Sequence, residues 1–254
     1  MRLELDAGNT RVKWRLLSGG DAGLEEVVVR GVFAHGGQFT DVLWQQIVLP
    51  DAIVPESVCI TSVAGDALLQ SLLRYSEAHW RQPLSVACVT PQQAGVKNAY
   101  ADCSRLGVDR WLAILAAFNR RAGAHLVIDC GSAVTVDLVS EAGQHLGGYI
   151  VPGLQLMRRA LFKDTDAVQV AEGVVSGDCG PGQNTNEAVN HGLPLMVAGL
   201  VAEAKSRLAS LSGGPINIWV TGGDAERVLA LLPEGAEYCQ DLVLDGLAYC
   251  AYRQ

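Results

Sequence analysis

The sequence lacks the cysteine spacings that mark a metal site or a disulfide framework. Its seven cysteines are scattered, with no CxxC pair and no cluster of cysteine and histidine. An odd number of thiols, most of them inside apolar stretches, is typical of reduced cysteines in a cytosolic protein. The five histidines are dispersed as well, and His145 and His191 receive no role. We therefore expect a cytoplasmic protein without a structural zinc site.

The sequence also has little charge and no excess of basic residues. Charged residues make up 18% of its 254 residues, and the formal net charge is −8. This balance argues against nucleic acid or an anionic membrane as the main partner. No apolar run is long enough to cross a bilayer, and an N-terminus that carries Glu4 and Asp6 is not typical of a signal peptide. Hydrophobic residues reach 49%, so a sizeable core is expected.

What the sequence does contain is a strand–turn–strand pattern at residues 2–17. Asp6 ends the first predicted strand, and Gly8 allows backbone N–H groups to approach an anion closely. Thr10 offers a hydroxyl and Lys13 a positive charge for phosphate oxygens, while Asp6 can hold a hydrated Mg²⁺ through water. An ordinary hairpin accounts for these residues equally well, because Gly and Asn are common in hairpin turns.

A second copy of this pattern favours the anion-binding interpretation. Residues 125–136 again place an Asp-x-Gly turn after an apolar strand, with Asp129 lying 123 positions after Asp6. Residues 59–67 and 219–225 form another matching pair, a strand that ends in small residues before a helix. The chain therefore looks duplicated, with domains at 1–118 and 119–254 and a nucleotide clamped between two facing loops. This plan resembles the superfamily of acetate and sugar kinases, heat-shock chaperones and actin.

The periodicity of the chain predicts its secondary structure. Predicted strands are 2–6, 11–17, 25–33, 57–63, 85–90, 125–129, 134–140, 145–150 and 216–221. Predicted helices are 38–48, 66–80, 111–122, 154–162, 185–211, 224–232 and 242–252, the last packing back across the domain boundary. Residues 91–111 lack a clear period, and loops of this length inside compact domains are often functional. A mobile loop is predicted at 163–184.

Asp109 and Arg110 stand at the predicted start of a helix. Asp109 at such a position is accounted for by helix capping alone. Arg110 is harder to explain, because a cation is disfavoured at a helix N-terminus. An arginine there is better explained if it faces a carboxylate or a phosphate group.

Taken together, several motifs resemble one family, the type III pantothenate kinases. They are Asp6-x-Gly8-Asn9-Thr10-x-x-Lys13, Gly95-Val96-Lys97-Asn98-x-Tyr100, Gly107-x-Asp109-Arg110, Asp129-x-Gly131-Ser132-x-x-Thr135, Gly147-Gly148-x-Ile150-x-Pro152-Gly153 and Thr221-Gly222-Gly223-Asp224. Their order, their spacing and the total length agree with that family. The resemblance therefore covers nearly the whole chain.

The resemblance implies an α/β, actin-like (ribonuclease H-like) ATPase fold, made of two duplicated domains with ATP in the cleft between them. It implies phosphorylation of pantothenate by ATP to 4′-phosphopantothenate, the first step of coenzyme A biosynthesis. It also implies Mg²⁺, a monovalent cation (K⁺ or NH₄⁺) and a homodimer.

The same resemblance assigns roles to individual residues. Asp109 would be the proton acceptor, and Asp129 would hold the monovalent cation. The ATP-binding residues would be Asp6, Ala7, Gly8, Asn9, Thr10, Arg11, Val12, Lys13 and Ser132. The pantothenate-binding residues would be Tyr100, Gly107, Val108, Asp109, Arg110 and Thr185, although helix capping alone also accounts for Thr185. Arg110 would pair with the carboxylate of pantothenate or with the transferring phosphoryl group.

The chain departs from the family pattern at two positions. Ser132 stands where Thr is usual, which preserves the hydroxyl, and Cys103 stands where many members have Pro, which makes the 101–106 loop harder to predict. Two other functions compete with the kinase assignment. One is phosphorylation of another acceptor, such as acetate or a sugar, which the motifs at 97–100 and 107–110 disfavour. The other is an accessory role in transcription, against which the acidic charge and the absence of a helix-turn-helix pattern argue.

Overall fold

The computed structural model describes residues 1–19, 25–50, 53–163 and 179–253. Its strands are β1 (Arg2–Ala7), β2 (Arg11–Gly19), β3 (Glu25–Ala34), β4 (Ser57–Ser62), β5 (Leu84–Cys88), β6 (Gln92–Gln93), β7 (Val96–Lys97), β8 (Ala124–Cys130), β9 (Ala133–Val139), β10 (His145–Pro152), β11 (Ile216–Thr221), β12 (Ala236–Tyr238) and β13 (Ala251–Arg253). Its α-helices are α1 (Asp41–Trp44), α2 (Asp66–Tyr75), α3 (Val108–Arg120), α4 (Leu154–Lys163), α5 (Thr185–Leu211), α6 (Ala225–Leu229) and α7 (Leu242–Gly246).

Two sheets repeat one strand order. The strand order of the first sheet is β13-β5-β4-β1-β2-β3. The second sheet has the order β12-β11-β8-β9-β10, which corresponds strand by strand to β5-β4-β1-β2-β3 of the first. In the first sheet β1 pairs antiparallel with β2 and parallel with β4. In the second, β8 pairs antiparallel with β9 and parallel with β11. Five strands therefore follow the same order in each sheet, which confirms the duplicated α/β plan predicted from the two Asp-x-Gly turns.

The chain divides into two compact units. The first holds Met1–Ala94, Tyr100–Ala116 and Val243–Gln254, and the second holds Gly95–Ala99 and Ala117–Leu242. Each unit contains one of the large sheets and its own hydrophobic core. The domain boundary between residues 118 and 119 stays a prediction.

The first sheet has an apolar face and a polar face because side chains alternate along its strands. Leu3, Leu5 and Ala7 of β1 are fully buried in the core. On the opposite face, Glu4 accepts hydrogen bonds from Arg2 (2.8 Å) and from Arg15 (2.7 Å). This alternation places Asp6 on the same polar face as Glu4.

The second unit buries its sheet against the long helix α5. Val197, Val201 and Leu208 of this helix are buried in the same cluster as residues of β8, β9 and β11. Spacings of four and seven residues place the three on one helical face. This packing fixes the strands that carry Asp129 and Thr135.

Several predicted helices differ from the structure. The helix at 38–48 is limited to α1, and the helix at 66–80 ends as α2 at Tyr75 and continues as a π-helical turn, Ser76–Trp80. The helix predicted from 111 begins three residues earlier, as α3. The prediction of a mobile loop at 163–184 lies mostly outside the described residues.

The helix predicted at 242–252 is wrong over most of its length. Helix α7 ends at Gly246, and residues 251–253 form β13, an edge strand paired with β5. Gly246 packs so closely on the backbone of Leu112 that a Cβ there would overlap it. Sequence periodicity could not reveal this close approach, because it depends on a helix more than a hundred residues away.

Candidate active site

The first Asp-x-Gly turn is a tight hairpin with an exposed tip. The Gly8 N–H donates to the Arg11 carbonyl at 3.0 Å, which closes the turn between β1 and β2. Asn9 and Thr10 at the tip are exposed, whereas Ala7 and Val12 on either side are buried. The sequence thus forms the hairpin that its turn residues predict, and the core on both sides fixes it in place.

Strand register places three polar side chains together on one face of the first sheet. Asp6 lies opposite Lys13 of β2 and opposite Thr61 of β4. Directly paired residues of neighbouring strands have Cβ atoms about 5 Å apart. The fully buried Thr61 hydroxyl has no hydrogen-bond partner among the described residues. No sequence motif predicts a role for Thr61, since its place beside Asp6 depends on the pairing of β1 with β4.

The second sheet places an equivalent set of side chains at its second loop. Asp129 lies opposite Thr135 of β9 and Thr221 of β11. The Gly131 N–H donates to the Ala133 carbonyl at 3.0 Å, which closes the turn, and Ser132 at its tip is exposed. The two sheets therefore each present a carboxylate flanked by one residue on each neighbouring strand.

Backbone from two other segments encloses the second loop. The Gly153 N–H donates to the Ser132 carbonyl at 3.0 Å, and the Asp224 N–H donates to the Cys130 carbonyl at 2.9 Å. Gly222 has φ +99°, and a Cβ on it would lie 2.5 Å from Asp129 Oδ1. Glycine is required there both for the backbone angle and for the close approach to the carboxylate.

Two carboxylates influence the thiol beside this loop. Burial, together with the nearby charges of Asp129 and Asp224, raises the pKa of the Cys130 thiol to about 12. Cys130 therefore stays protonated at neutral pH and is not a reactive thiolate. Of the two carboxylates, Asp224 also forms an ion pair with Arg227, with 3.5 Å between Oδ1 and Nε.

The residues predicted to contact the acceptor come together at the start of α3. The backbone N–H of Trp111 donates to the Gly107 carbonyl at 3.0 Å. Asp109 Oδ1 accepts the backbone N–H of Arg110 at 2.8 Å. Asp109 therefore lies inside the first helical turn and not at the N-cap. A Cβ on Gly107 would lie 2.6 Å from Asp109 Oδ1, so the glycine makes room for the carboxylate.

Arg110 is buried beside a tyrosine of the same group. Its side chain is 6% exposed, and its Nη1 donates to Tyr100 Oη at 3.2 Å. The guanidinium carbon lies 5.9 Å from the centroid of the tyrosine ring. The structure thus brings Tyr100, Gly107, Asp109 and Arg110 together, with Val108 between them in the chain.

Thr185 is the exposed first residue of α5, in the second unit. Capping does not explain it, because the N-cap is Asn184, whose side chain accepts the Glu187 N–H at 2.9 Å. The expectation that Thr185 itself caps the helix is therefore wrong.

A buried Asp–His pair anchors residues 95–99 in the second unit. His145 Nε2 lies 3.0 Å from Asp137 Oδ1, and its Nδ1 accepts the Ala99 N–H at 3.4 Å. Both side chains are almost completely buried. A role for His145 cannot be predicted from the sequence, because His145 and Asp137 lie on different strands and meet only when β9 pairs with β10.

Neither a metal-binding cluster nor a membrane-spanning helix occurs among the residues that the structure describes. They hold no cluster of three or more His, Cys, Asp or Glu side chains able to bind a metal ion. They also include no helix with the length and apolar character needed to span a bilayer.

Comparison with known proteins relates this geometry to one family. A family model described as type III pantothenate kinase matches residues 2–207. The chain belongs to the type III pantothenate kinase family. The match includes both Asp-x-Gly loops, the cluster at the start of α3, and Thr185.

Relatives named type III pantothenate kinase resemble the chain over almost its entire length. The protein from Ectopseudomonas mendocina is 38% identical over 251 residues, covering 98% of each chain. The protein from Alcanivorax borkumensis is 35% identical over 255 residues, covering all of both chains.

Solved structures with lower identity share the fold. A Campylobacter jejuni structure, named as a Baf family transcriptional activator, has a TM-score of 0.60 at 20% identity and covers 97% of this chain and 95% of its own. A Sinorhizobium meliloti structure, named as a 2-dehydro-3-deoxygalactonokinase, has a TM-score of 0.58 at 14% identity, with coverages of 98% and 95%. The chain therefore has an actin-like α/β fold, which the galactonokinase structure shares.

Proposed function

We propose that this chain transfers the γ-phosphoryl group of ATP to pantothenate, giving 4′-phosphopantothenate in the first step of coenzyme A biosynthesis. The observation that carries the proposal is the family match over residues 2–207, which contains both loops and the acceptor cluster. All seven cysteines are free thiols, which supports a reducing, cytoplasmic location.

The first loop, Asp6 to Lys13, would hold the ATP phosphates. The exposed tip offers backbone N–H groups and the Thr10 hydroxyl, and Lys13 supplies a positive charge on the same face as Asp6. Phosphoryl transfer depends mainly on positioning and on neutralising phosphate charge, so these groups suit the task. Ser132 would contact ATP from the second loop.

Mg²⁺ fits beside Asp6. The carboxylate and the Thr61 hydroxyl lie at the carboxyl ends of two parallel strands, where ligands of α/β sheets commonly bind. Mg²⁺ is usually held through one or two carboxylates, water and substrate phosphates, and a single aspartate is enough for that arrangement. When bound, the ion neutralises charge on the β- and γ-phosphates.

A monovalent cation, K⁺ or NH₄⁺, fits beside Asp129. The carboxylate is partly buried, and Asp224, which is paired with Arg227, lies near the same loop. A buried or partly buried charge requires a counter-ion. Thr135 stands opposite Asp129, where the first loop has Lys13, so the chain supplies no lysine at that register position.

The cluster at the start of α3 would bind pantothenate. Asp109 would accept the proton of the primary hydroxyl as the phosphoryl group is transferred. The helix N-terminus favours the carboxylate form of Asp109, since it attracts negative charge. Arg110 would bind either the pantothenate carboxylate or the transferring phosphoryl group. An Arg110→Lys variant distinguishes the two roles. Loss of the contact with the pantothenate carboxylate should raise KM for pantothenate, whereas loss of the contact with the phosphoryl group should lower kcat.

A homodimer would complete the assembly. Leu156 on α4, and Leu195 and Met196 on α5, are exposed apolar residues of one unit, and Thr185 is exposed at the start of α5. Such residues suit a contact with a second copy. Sedimentation measures this, and a fully active monomer at the assay concentration would contradict it.

The test of the function is a coupled assay with ATP and a panel of acceptors: pantothenate, acetate and a sugar acid. The expected result is turnover with pantothenate alone. Asp109→Asn should keep its melting temperature, because asparagine Oδ1 still accepts the Arg110 N–H, and should lose about 10²–10⁴-fold in kcat.

Asp102→Asn is the matched control. Asp102 caps a short 3₁₀ turn in the same loop by accepting the Ser104 N–H at 3.1 Å, and no catalytic role is assigned to it. Its variant should retain normal turnover. If Asp109→Asn phosphorylates pantothenate at the rate of the control, Asp109 is not the proton acceptor.

A further inference from the structure

One residue contacts both sides of the first loop. His35 follows β3, and its backbone N–H donates to the Thr10 carbonyl at 3.3 Å. Its imidazole Nε2 lies 3.0 Å from the Gly8 carbonyl. The side chain is 7% exposed and packs against Phe39, with ring centroids 5.3 Å apart. The ring is therefore fixed against the loop.

The hydrogen bonds of His35 specify its tautomer. Gly37 donates its N–H to Nδ1 at 3.1 Å, so Nδ1 must be the acceptor. A carbonyl oxygen can only accept, so Nε2 must carry the proton that it donates to Gly8. Gly36 and Gly37 have φ of +54° and +76°, and nothing lies within 4 Å of a Cβ at either position. Glycine is therefore needed at both positions for its positive φ and not for lack of space. This backbone turn brings the Gly37 N–H back to the imidazole ring.

This bond sets the orientation of the peptide between Gly8 and Asn9. That peptide is trans, so the Asn9 N–H points opposite to the Gly8 carbonyl, away from His35. Glycine and asparagine are the two residues that adopt left-handed backbone conformations most readily. A Gly–Asn peptide can therefore rotate easily, and the rotated form would turn a carbonyl oxygen toward a bound anion.

We propose that His35 is a positioning residue for ATP: its Nε2–H holds the Gly8 carbonyl so that the Asn9 amide faces the phosphates. The inference rests on the proposed function, because it takes residues 6–13 as the phosphate loop. The imidazole makes two hydrogen bonds, one to Gly8 (the Gly8 arm) and one from Gly37 (the Gly37 arm). The Gly8 arm orients the peptide, and the Gly37 arm only fixes the ring.

Two substitutions separate the arms. In His35→Gln the amide nitrogen reaches the position of Nε2 and can still donate to Gly8. In His35→Asn the amide oxygen replaces Nδ1 and can still accept from Gly37, but the Gly8 bond is lost. His35→Phe removes both bonds and keeps a ring against Phe39. His79→Phe is the control, because His79 also bonds a backbone carbonyl, that of Tyr75, in the same unit but away from the loop.

The measurements are the dissociation constant of a non-hydrolysable ATP analogue by calorimetry, KM for ATP and for pantothenate, and the melting temperature. His35→Phe and His35→Asn should raise the dissociation constant and KM for ATP about three- to tenfold, the effect of one hydrogen bond, with KM for pantothenate unchanged. His35→Gln and His79→Phe should stay within about twofold of wild type.

The outcomes separate this inference from the function on which it rests. Wild-type binding and turnover together with normal nucleotide affinity in His35→Asn would overturn the role of His35 alone. Loss of affinity in His35→Gln equal to that in His35→Phe would also overturn it, because the Gly8 arm would then not be what matters. A wild-type chain that binds no nucleotide would overturn the proposed function and the inference together.

Discussion

The two Asp-x-Gly loops begin alike but are supported differently. Each follows a central strand, and each carboxylate is flanked by one residue on either neighbouring strand. The first loop is held by His35 through its imidazole, at the Gly8 carbonyl, and through its backbone N–H, at the Thr10 carbonyl. The second is held by backbone, through Gly153 and through the segment that follows Gly222. Duplication therefore preserved the sheet but not the contacts that fix its loops.

The difference in charge follows from a single register position. Lys13 lies opposite Asp6, whereas Thr135 lies opposite Asp129. An ammonium group next to the carboxylate suits a site for phosphate oxygens. Asp129 has no lysine at that register position, and under the proposed function a cation would lie beside it instead. The two loops would then bind ions of opposite charge because one register position holds lysine in the first loop and threonine in the second.

The largest expected effect tests the first loop. Asp6→Asn removes the carboxylate proposed to hold Mg²⁺ while keeping the shape of the side chain. Loss of the metal contact should cost about 3 kcal/mol or more in the transition state, which is roughly 10²-fold in kcat. The melting temperature should hardly change, because Asp6 lies outside the core cluster. A variant with near-normal kcat would remove Asp6 from the mechanism.

The second-largest expected effect tests how closely the backbone at Gly153 packs against the second loop. A Cβ on Gly153 would overlap the carbonyls of Gly131 and Ser132, whereas a Cβ on Gly8 meets only the Arg11 carbonyl at 3.5 Å. Gly153→Ala should therefore lower the free energy of unfolding by about 1–3 kcal/mol.

Gly8→Ala is the matched control and should unfold close to wild type, whatever its activity. Urea titration of both variants measures the difference. Equal stability of the two variants would show that the second loop is not held by close backbone contact.

A third, smaller effect tests the difference in charge. Activity should rise with K⁺ or NH₄⁺ and not with Na⁺ at equal ionic strength. In Thr135→Lys the second loop acquires the lysine of the first, so the stimulation should fall by roughly tenfold, as expected for replacing one counter-ion interaction. Stimulation that is unchanged in this variant would place the cation away from Asp129.

The sequence was sufficient for the features that depend on local order. Apolar strands that end in Asp-x-Gly predicted both hairpins, and the duplication predicted the repeated sheet. Thr61 and His35 were missed because their roles depend on non-local contacts: β4 pairing with β1, and the end of β3 reaching Gly8. The helix predicted at 242–252 was wrong for the same reason, because residues 251–253 pair with β5 as an edge strand. Close glycine contacts such as those of Gly153 likewise appear only in three dimensions.

The smallest expected effect concerns the hydroxyls at the two tips. Ser132 is exposed at the tip of the second loop, as Thr10 is at the tip of the first. Ser132→Thr keeps the hydroxyl and adds a methyl group that has room at an exposed position. Its kcat/KM for ATP should remain within about twofold of wild type, since surface substitutions of this kind cost little.

Ser132→Ala and Thr10→Ala supply the scale for that comparison. Each removes a hydroxyl proposed to contact a charged phosphate, and such bonds contribute about 1.5–3 kcal/mol, or roughly ten- to a hundredfold in kcat/KM. Steady-state kinetics with varied ATP measures all three variants. If Ser132→Thr loses as much as Ser132→Ala, the second loop tolerates serine only, because its backbone support leaves no room for the methyl group. If neither alanine variant changes kcat/KM, the hydroxyls do not contact ATP, and binding at both tips must rest on backbone amides.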